Sequence, residues 1–161
     1  MAKMVKVGMA DLNICHSPDA ITTLGLGSCV GVALYDKNTK TAGLVHVMLP
    51  DSTKDRQNQN RAKFADTGID YLIELLEKEG AKKSSLTAKI AGGAQMFAFS
   101  SSNDMLRVGE RNVEAVKDKL KKLGIRILAE DTGLNYGRTV EFYPETGDFI
   151  IKSVGKLVKT I

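Results

Sequence analysis

The order of the apolar segments restricts the architecture of this chain more strongly than its composition does. Early in the sequence, apolar residues alternate with small or polar ones, or form short runs that end at glycine or turn residues, as strands do. Four such segments cover residues 5–9, 21–26, 29–35 and 41–49. A polar turn around Asn38 separates the last two of them, so these two are predicted to form a β-hairpin.

Two later segments have the residue spacing of amphipathic helices. They cover residues 61–79, with Asn60 as the predicted N-cap, and residues 109–123; Gly80 and Gly124 stand where helix-ending glycines belong. Further strands are predicted over residues 86–91, 125–129, 139–143 and 149–154. Because the strands are grouped and do not alternate strictly with helices, the pattern favours an α+β sandwich with a mixed or antiparallel sheet and helices on one face.

Composition excludes several classes of protein. A length of 161 residues suits a single domain covering residues 1–161, and 43% apolar with 26% charged residues is typical of globular proteins. The net charge of +4 comes from scattered lysines without interleaved aromatic residues, so nucleic-acid binding is not expected. No apolar run is long enough to insert into a membrane. The first residues lack the apolar core of a signal peptide, which predicts a cytoplasmic protein.

The densest signal for chemistry is the segment T-L-G-L-G-S-C-V at residues 23–30, in which Cys29 follows Gly27 and Ser28. A cysteine nucleophile needs an accessible sulfur and nearby N–H donors for a developing oxyanion. Glycines leave backbone N–H groups uncovered, so the start of a strand after a Gly-Ser turn can supply both. Cys29 is therefore the candidate nucleophile, with Gly27 and Ser28 as the oxyanion or substrate loop. The alternative is a buried structural cysteine.

His46 is the candidate base. It lies in the apolar run G-L-V-H-V-M-L-P at residues 43–50, where a lone histidine is more often a core residue than a base. The predicted hairpin, however, places Cys29 close to residue 47 and therefore near His46. An imidazole next to a thiol promotes formation of the reactive thiolate.

Cys15 and His16 form a rival pair. Adjacent residues on a strand point to opposite faces, which favours Cys29 with His46 instead. The same four side chains do not have the paired spacing that zinc sites use, and a disulfide is not expected in a reducing cytosol. The proposed thiol chemistry requires neither a metal nor an organic cofactor.

At these residues and beyond them, the chain resembles the CheD family of chemoreceptor glutamine deamidases. The resemblance includes the segment at residues 23–30 and H-V-M-L-P at residues 46–50. It extends to K-I-A-G-G-A at residues 89–94, G-E-R-N at residues 109–112, and the pair Gly137-Arg138 with the later P-E-T-G turn. It therefore covers nearly the whole chain, and the Thr–Cys–His spacing is specific to it.

The resemblance implies the fold, the site and the partners. The fold would be an α+β sandwich similar to the catalytic domain of the cytotoxic necrotizing factor toxins. In the site, Cys29 would be the nucleophile, His46 the general base and acid, and Thr23 the residue that orients His46. The substrates would be glutamines of methyl-accepting chemoreceptors, and a CheC-type phosphatase would be the regulatory partner.

Two other functions stay open at this point. The chain could be a non-catalytic module that binds a signalling partner, or a protein methylesterase that uses the same thiol through the same thioester. A separate hypothesis concerns the segment at residues 92–103, which has glycines at one end and serines at the other. Since aromatic side chains often anchor interfaces, Phe97 and Phe99 in this segment are candidates for docking a receptor or a partner.

Overall fold

The computed structural model describes residues 2–54, 57, 59–95 and 107–161. Within this part of the chain, ten strands and two α-helices follow one another in the predicted order of strands, helix, strand, helix and strands. Their bounds are β1 Met4–Val7, β2 Leu12–His16, β3 Ala20–Leu26, β4 Val30–Asp36, β5 Thr41–Val47, α1 Ala65–Lys78, β6 Thr87–Gly92, α2 Val108–Leu123, β7 Arg126–Thr132, β8 Arg138–Tyr143, β9 Asp148–Lys152 and β10 Lys159–Thr160.

Among the described residues, the strands form two sheets of five strands each. The first sheet has the order β1-β3-β8-β9-β10, and the second sheet has the order β2-β5-β4-β6-β7. Both sheets are mixed, because β1 pairs with β3 and β6 with β7 in parallel while their other pairs are antiparallel. The α+β class and the mixed sheets are therefore confirmed. The likeness to the toxin catalytic domain stays a prediction.

The second sheet lies between two different layers. One of its faces packs on α1 and α2 through an aliphatic core, and its other face packs on the first sheet through a second core. Its central strands β4 and β5 form the predicted hairpin, and almost all of their residues are buried. A strand covered on both faces has no solvent side, which explains why these segments are continuous apolar runs and do not alternate.

The predicted helix over residues 61–79 is wrong at its beginning. Residues Arg61–Lys63 form a short 3-10 turn, which Asn60 caps by accepting a hydrogen bond from the N–H of Ala62. Phe64 is extended, and the α-helix begins only at Ala65. The reason is tertiary, since Phe64 is buried and forms a β-bridge with Leu49. Helical spacing in the sequence could not reveal this contact.

Two short strands were not predicted from the sequence. The strand β2 pairs with β5 at an edge of the second sheet, and β10 pairs with β9 at an edge of the first. The residues of β2 are mostly exposed or half-buried, and only Leu12 and Ile14 mark an apolar face in its short sequence L-N-I-C-H. Edge strands need only one neighbour and one covered face, which weakens their signal in the sequence.

The start of α2 contacts the two residues that follow β6 so closely that residue 109 must be a glycine. A Cβ atom on Gly109 would lie 2.4 Å from the carbonyl oxygen of Ala94 and 2.6 Å from that of Gly93. Such distances are too short for van der Waals contact. Gly109 therefore allows the helix to pack directly on the chain segment that follows β6.

Substituting alanine for Gly109 is expected to lower the free energy of unfolding by about 1–3 kcal/mol, the usual range for overpacking. The control is Gly8→Ala, where the nearest atom to a new Cβ is 3.9 Å away, so little change is expected. Urea denaturation of both variants measures the difference. A gain in stability for Gly109→Ala, as helix propensity alone would predict, would contradict the close approach.

Candidate active site

Cys29 lies in a bend between β3 of the first sheet and β4 of the second. The neighbouring residues Gly27 and Ser28 are half-buried, whereas the Cys29 side chain is only 7% exposed. Leu24 and Gly25, just before this bend, are exposed. The nucleophile candidate is therefore covered but lies beside the surface.

Three consecutive carbonyl groups of this bend point toward β6 and α2. The carbonyl oxygens of Gly27 and Cys29 accept hydrogen bonds from the N–H groups of Ala94 and Gly93, each at 2.8 Å. The carbonyl oxygen of Ser28 accepts a hydrogen bond of 2.9 Å from a side-chain amide on α2. The bend is thus held from one side by backbone and side-chain donors.

The N–H groups of the same bend, in contrast to its carbonyl groups, are mostly without hydrogen-bond partners in the described part of the chain. The N–H of Gly27 donates to the carbonyl of Gly25 at 3.1 Å, within a tight turn. The N–H groups of Ser28 and Cys29 donate to no backbone or side-chain acceptor of another residue in the described part of the chain. Backbone N–H groups without an acceptor, close to a nucleophile, can bind a developing negative charge.

His46 contacts the first sheet through one ring nitrogen. The ring is fully buried, and its Nδ1 lies 2.7 Å from the Thr23 hydroxyl. The same hydroxyl donates a hydrogen bond of 2.8 Å to the carbonyl oxygen of Val7 on β1. Thr23 therefore links the imidazole on the second sheet to a backbone group of the first sheet.

This chain of contacts determines the tautomer of His46. A hydroxyl has one proton, and the proton of Thr23 is committed to the carbonyl of Val7, which can only accept. The Thr23 oxygen must therefore accept a hydrogen bond from Nδ1–H of His46. In the neutral ring the lone pair then lies on Nε2, which has no hydrogen-bond partner among the described residues. A buried lone pair without a donor is available to take a proton.

Cys29 and His46 lie on the same face of the second sheet. Gly31 pairs with His46, so continuing the register places Cys29 opposite Met48, one position beyond the predicted residue 47. Residues two apart on a strand share a face, which puts Cys29 on the Gly31 face and diagonal to His46. The exact register matters, because pairing Cys29 with residue 47 would place the two side chains on opposite faces.

Burial shifts the pKa values of both groups toward their neutral forms. Desolvation raises the pKa of the Cys29 thiol, and the N–H of Cys29 itself acts in the opposite direction. Desolvation lowers the pKa of His46. Both shifts favour a neutral thiol with a neutral imidazole at rest.

A titration of the thiol is expected to show this neutral resting state. Because its pKa is raised, Cys29 is expected to hold its proton at neutral pH and to become a thiolate only above the ordinary pKa of a cysteine thiol. Thiolate absorbance can be followed against pH in Cys15→Ala, with the variant lacking both cysteines as the blank. A midpoint below pH 8 would contradict the neutral pair and indicate a thiolate–imidazolium pair at rest.

In the structure, Cys15 and His16 do not form a pair. Cys15 is buried, and desolvation raises its pKa to about 12. His16 points away from it and lies 3.3 Å from Glu79 at the surface. Phe97 and Phe99, the predicted docking residues, lie outside the described residues.

Two groups near the site were not among the predicted site residues. The carbonyl of Val7, which orients Thr23, is a backbone group without any residue-type signal. Asn112 on α2 donates hydrogen bonds of 2.9 Å to the carbonyls of both Ser28 and Met48. A signal for Asn112 existed, since a polar residue stands there at helical spacing from the buried residues Val116 and Leu120.

The described part of the chain has neither a cluster of side chains that could bind a metal ion nor a helix that could span a membrane. No three His, Cys, Asp or Glu side chains there lie close enough together to ligate a metal ion. The helices within that part are too short or too polar to cross a membrane.

Comparison with known proteins gives a consistent result. The sequence model of a family described as CheD chemotactic sensory transduction matches residues 48–153. A probable chemoreceptor glutamine deamidase CheD of Lachnoclostridium phytofermentans is 70% identical over the full length of both chains. The chemoreceptor glutamine deamidases CheD of Halalkalibacterium halodurans and Bacillus subtilis are 58% and 51% identical, over 100% and 99% of this chain and 100% and 97% of their own.

The family model begins two residues after His46, so the segment with Thr23, Cys29 and His46 is matched by the full-length relatives. Identity at this level over whole chains is far beyond what a shared fold alone would produce. This chain belongs to the CheD family.

Proposed function

We propose that this protein deamidates glutamine side chains of methyl-accepting chemoreceptors to glutamate, in bacterial chemotaxis, through a thioester on Cys29. The observation that supports this proposal most directly is the contact of His46 Nδ1 with Thr23. It leaves a buried lone pair on Nε2, on the face that Cys29 shares, without a hydrogen-bond partner among the described residues. Full-length relatives named for this activity support the choice of substrate. Cys29, His46 and Thr23 are the proposed catalytic group.

The first half of the reaction transfers the acyl group to the enzyme. His46 Nε2 accepts the thiol proton while the sulfur of Cys29 attacks the carboxamide carbon, and the carbonyl electrons move onto oxygen. The N–H groups of Ser28 and Cys29 are the proposed donors to this oxyanion. The carbonyl re-forms, the C–N bond breaks, and His46 returns its proton to the leaving nitrogen, so that ammonia departs.

The second half of the reaction restores the thiol. A water molecule gives a proton to His46 Nε2 and attacks the thioester carbon, and the C–S bond then breaks. The sulfur regains its proton from His46, and the product is a glutamate side chain. His46 acts as base and then acid in each half, and its lowered pKa favours the neutral ring that can take the thiol proton.

Mass spectrometry of receptor incubated with the purified protein tests the proposal. Deamidation adds about one mass unit per glutamine, whereas hydrolysis of a methyl ester through the same thioester removes about fourteen. Tandem spectra assign the change to individual residues. Loss of fourteen units without any gain of one would replace the deamidase with a methylesterase, and no change in mass would favour a binding module.

Regulation by a CheC-type phosphatase is part of the proposal and rests on family membership. The docking role of Phe97 and Phe99 is likewise a proposal. Calorimetric titration of Phe97→Glu and Phe99→Glu with receptor fragment and with phosphatase tests both ideas together.

A further inference from the structure

The strongest unexplained contact near the site is made by Asn112. This side chain is fully buried, and its single NH₂ group donates to two carbonyl oxygens at 2.9 Å each. Because both neighbours are carbonyls and can only accept, the assignment of nitrogen and oxygen in this amide is determined by its surroundings. Its Oδ1 has no partner within the described residues, so the side chain acts here only as a donor.

The two carbonyls belong to the two segments that carry the proposed nucleophile and base. One is that of Ser28, directly before Cys29, and the other is that of Met48, two residues after His46. One amide on α2 therefore holds both segments at a fixed distance. A buried oxygen without a partner costs stability, but an apolar residue at this position would leave the carbonyls of Ser28 and Met48 without this donor.

The contact with Ser28 also sets the direction of the next N–H group. In a trans peptide the C=O and N–H bonds point in opposite directions. The Ser28–Cys29 bond is trans, because Ser17–Pro18 is the one cis bond in the described part of the chain. When Asn112 draws the Ser28 oxygen toward α2, the N–H of Cys29 must point away from α2, where it meets no acceptor of another residue in the described part of the chain.

We propose that Asn112 is a positioning residue that aims the N–H of Cys29 at the oxyanion formed during acyl transfer. This inference rests on the proposed deamidase function for its natural substrate, but its chemistry applies to any carbonyl that Cys29 attacks. Asn112 does not touch the substrate. It acts through the Ser28–Cys29 peptide.

Two reactions of the same sulfur separate this role from a merely structural one. Acetylation of Cys29 by p-nitrophenyl acetate forms an S–C bond at a carbonyl, passes through an oxyanion, and expels p-nitrophenolate. Alkylation by iodoacetamide forms an S–C bond at a saturated carbon and expels iodide without an oxyanion. Loss of an oriented oxyanion donor should therefore slow the first reaction far more than the second.

The experiment compares Asn112→Ala with Val116→Ala. Val116 is fully buried one turn later on the same helix, and its aliphatic side chain cannot donate to these carbonyls, so its variant reports loss of packing alone. A direct oxyanion donor is worth about 100- to 1,000-fold in kcat, so we expect Asn112→Ala to lower kcat for receptor deamidation and the acetylation rate by about 10- to 100-fold. The KM and the rate of alkylation should change little in Asn112→Ala. Val116→Ala should retain the wild-type kcat and the wild-type acetylation rate.

If Asn112→Ala does not fold, Asn112→Ser provides a second test. The single hydroxyl of serine can donate a hydrogen bond to only one of the two carbonyls. Equal losses in acetylation and alkylation, or equal losses in the Asn112 and Val116 variants, would overturn the positioning role. Unchanged deamidation in Asn112→Ala would do the same while leaving the deamidase proposal intact. A different outcome is also possible: the wild-type protein deamidates no receptor, while Asn112→Ala still lowers the acetylation rate. That outcome would support the positioning role and refute the deamidase.

Discussion

Replacement of Cys29 by alanine is expected to abolish receptor deamidation while the protein stays folded. The change removes the only proposed nucleophile, and loss of a nucleophile typically costs about 10⁴-fold or more in kcat. It should cost little stability, because only one sulfur atom is lost from a side chain that already lies at the edge of the inner core. Tandem mass spectrometry of the receptor measures activity, and urea denaturation measures the fold.

The matched control is Cys15→Ala. Both cysteines are free and buried, so the two variants remove the same atom from similar surroundings. Cys15 lies on β2, away from His46, and should be dispensable. A Cys29→Ala variant that modifies glutamine at the wild-type rate would disprove the thioester mechanism.

The second large effect is expected for His46→Ala, which should lower kcat at least about 100-fold because it removes the general base and acid. Alkylation of Cys29 by iodoacetamide near neutral pH should also slow, since no acceptor for the thiol proton remains nearby. The ring is fully buried, so its loss leaves a cavity, and stability must be measured in parallel.

Thr23→Val is the matched comparison, because it keeps the volume and removes only the hydroxyl. His46 would retain its ring but lose the acceptor that holds its proton on Nδ1, so kcat should fall less than in His46→Ala. The fall should be largest where the wrong tautomer competes, at pH values at which the ring is neutral. Equal rates of alkylation in wild type and His46→Ala would show that His46 does not assist the thiol.

Much of the fold could be predicted from residue order alone. The hairpin of β4 and β5 follows from two apolar runs around a polar turn, and α2 follows from its apolar spacing and from Gly124, which takes the left-handed conformation at its end. These features depend on contacts between residues near one another in the chain. Where distant contacts decide, prediction was wrong or incomplete, as at Phe64, whose bridge to Leu49 delays the start of α1.

The candidate site, too, could be predicted only in part from the sequence. Residue type and spacing by themselves determined the candidates Cys29 and His46, because few side chains can serve as nucleophile and base. Only the tertiary structure decided that they share a face, since one residue of register reverses every side chain of a strand. Likewise, only the packing of the two sheets brings the carbonyl of Val7 to Thr23, and only the docking of α2 brings Asn112 to Ser28. Backbone carbonyls carry no residue identity, so their part in the site becomes visible only when the chain is folded.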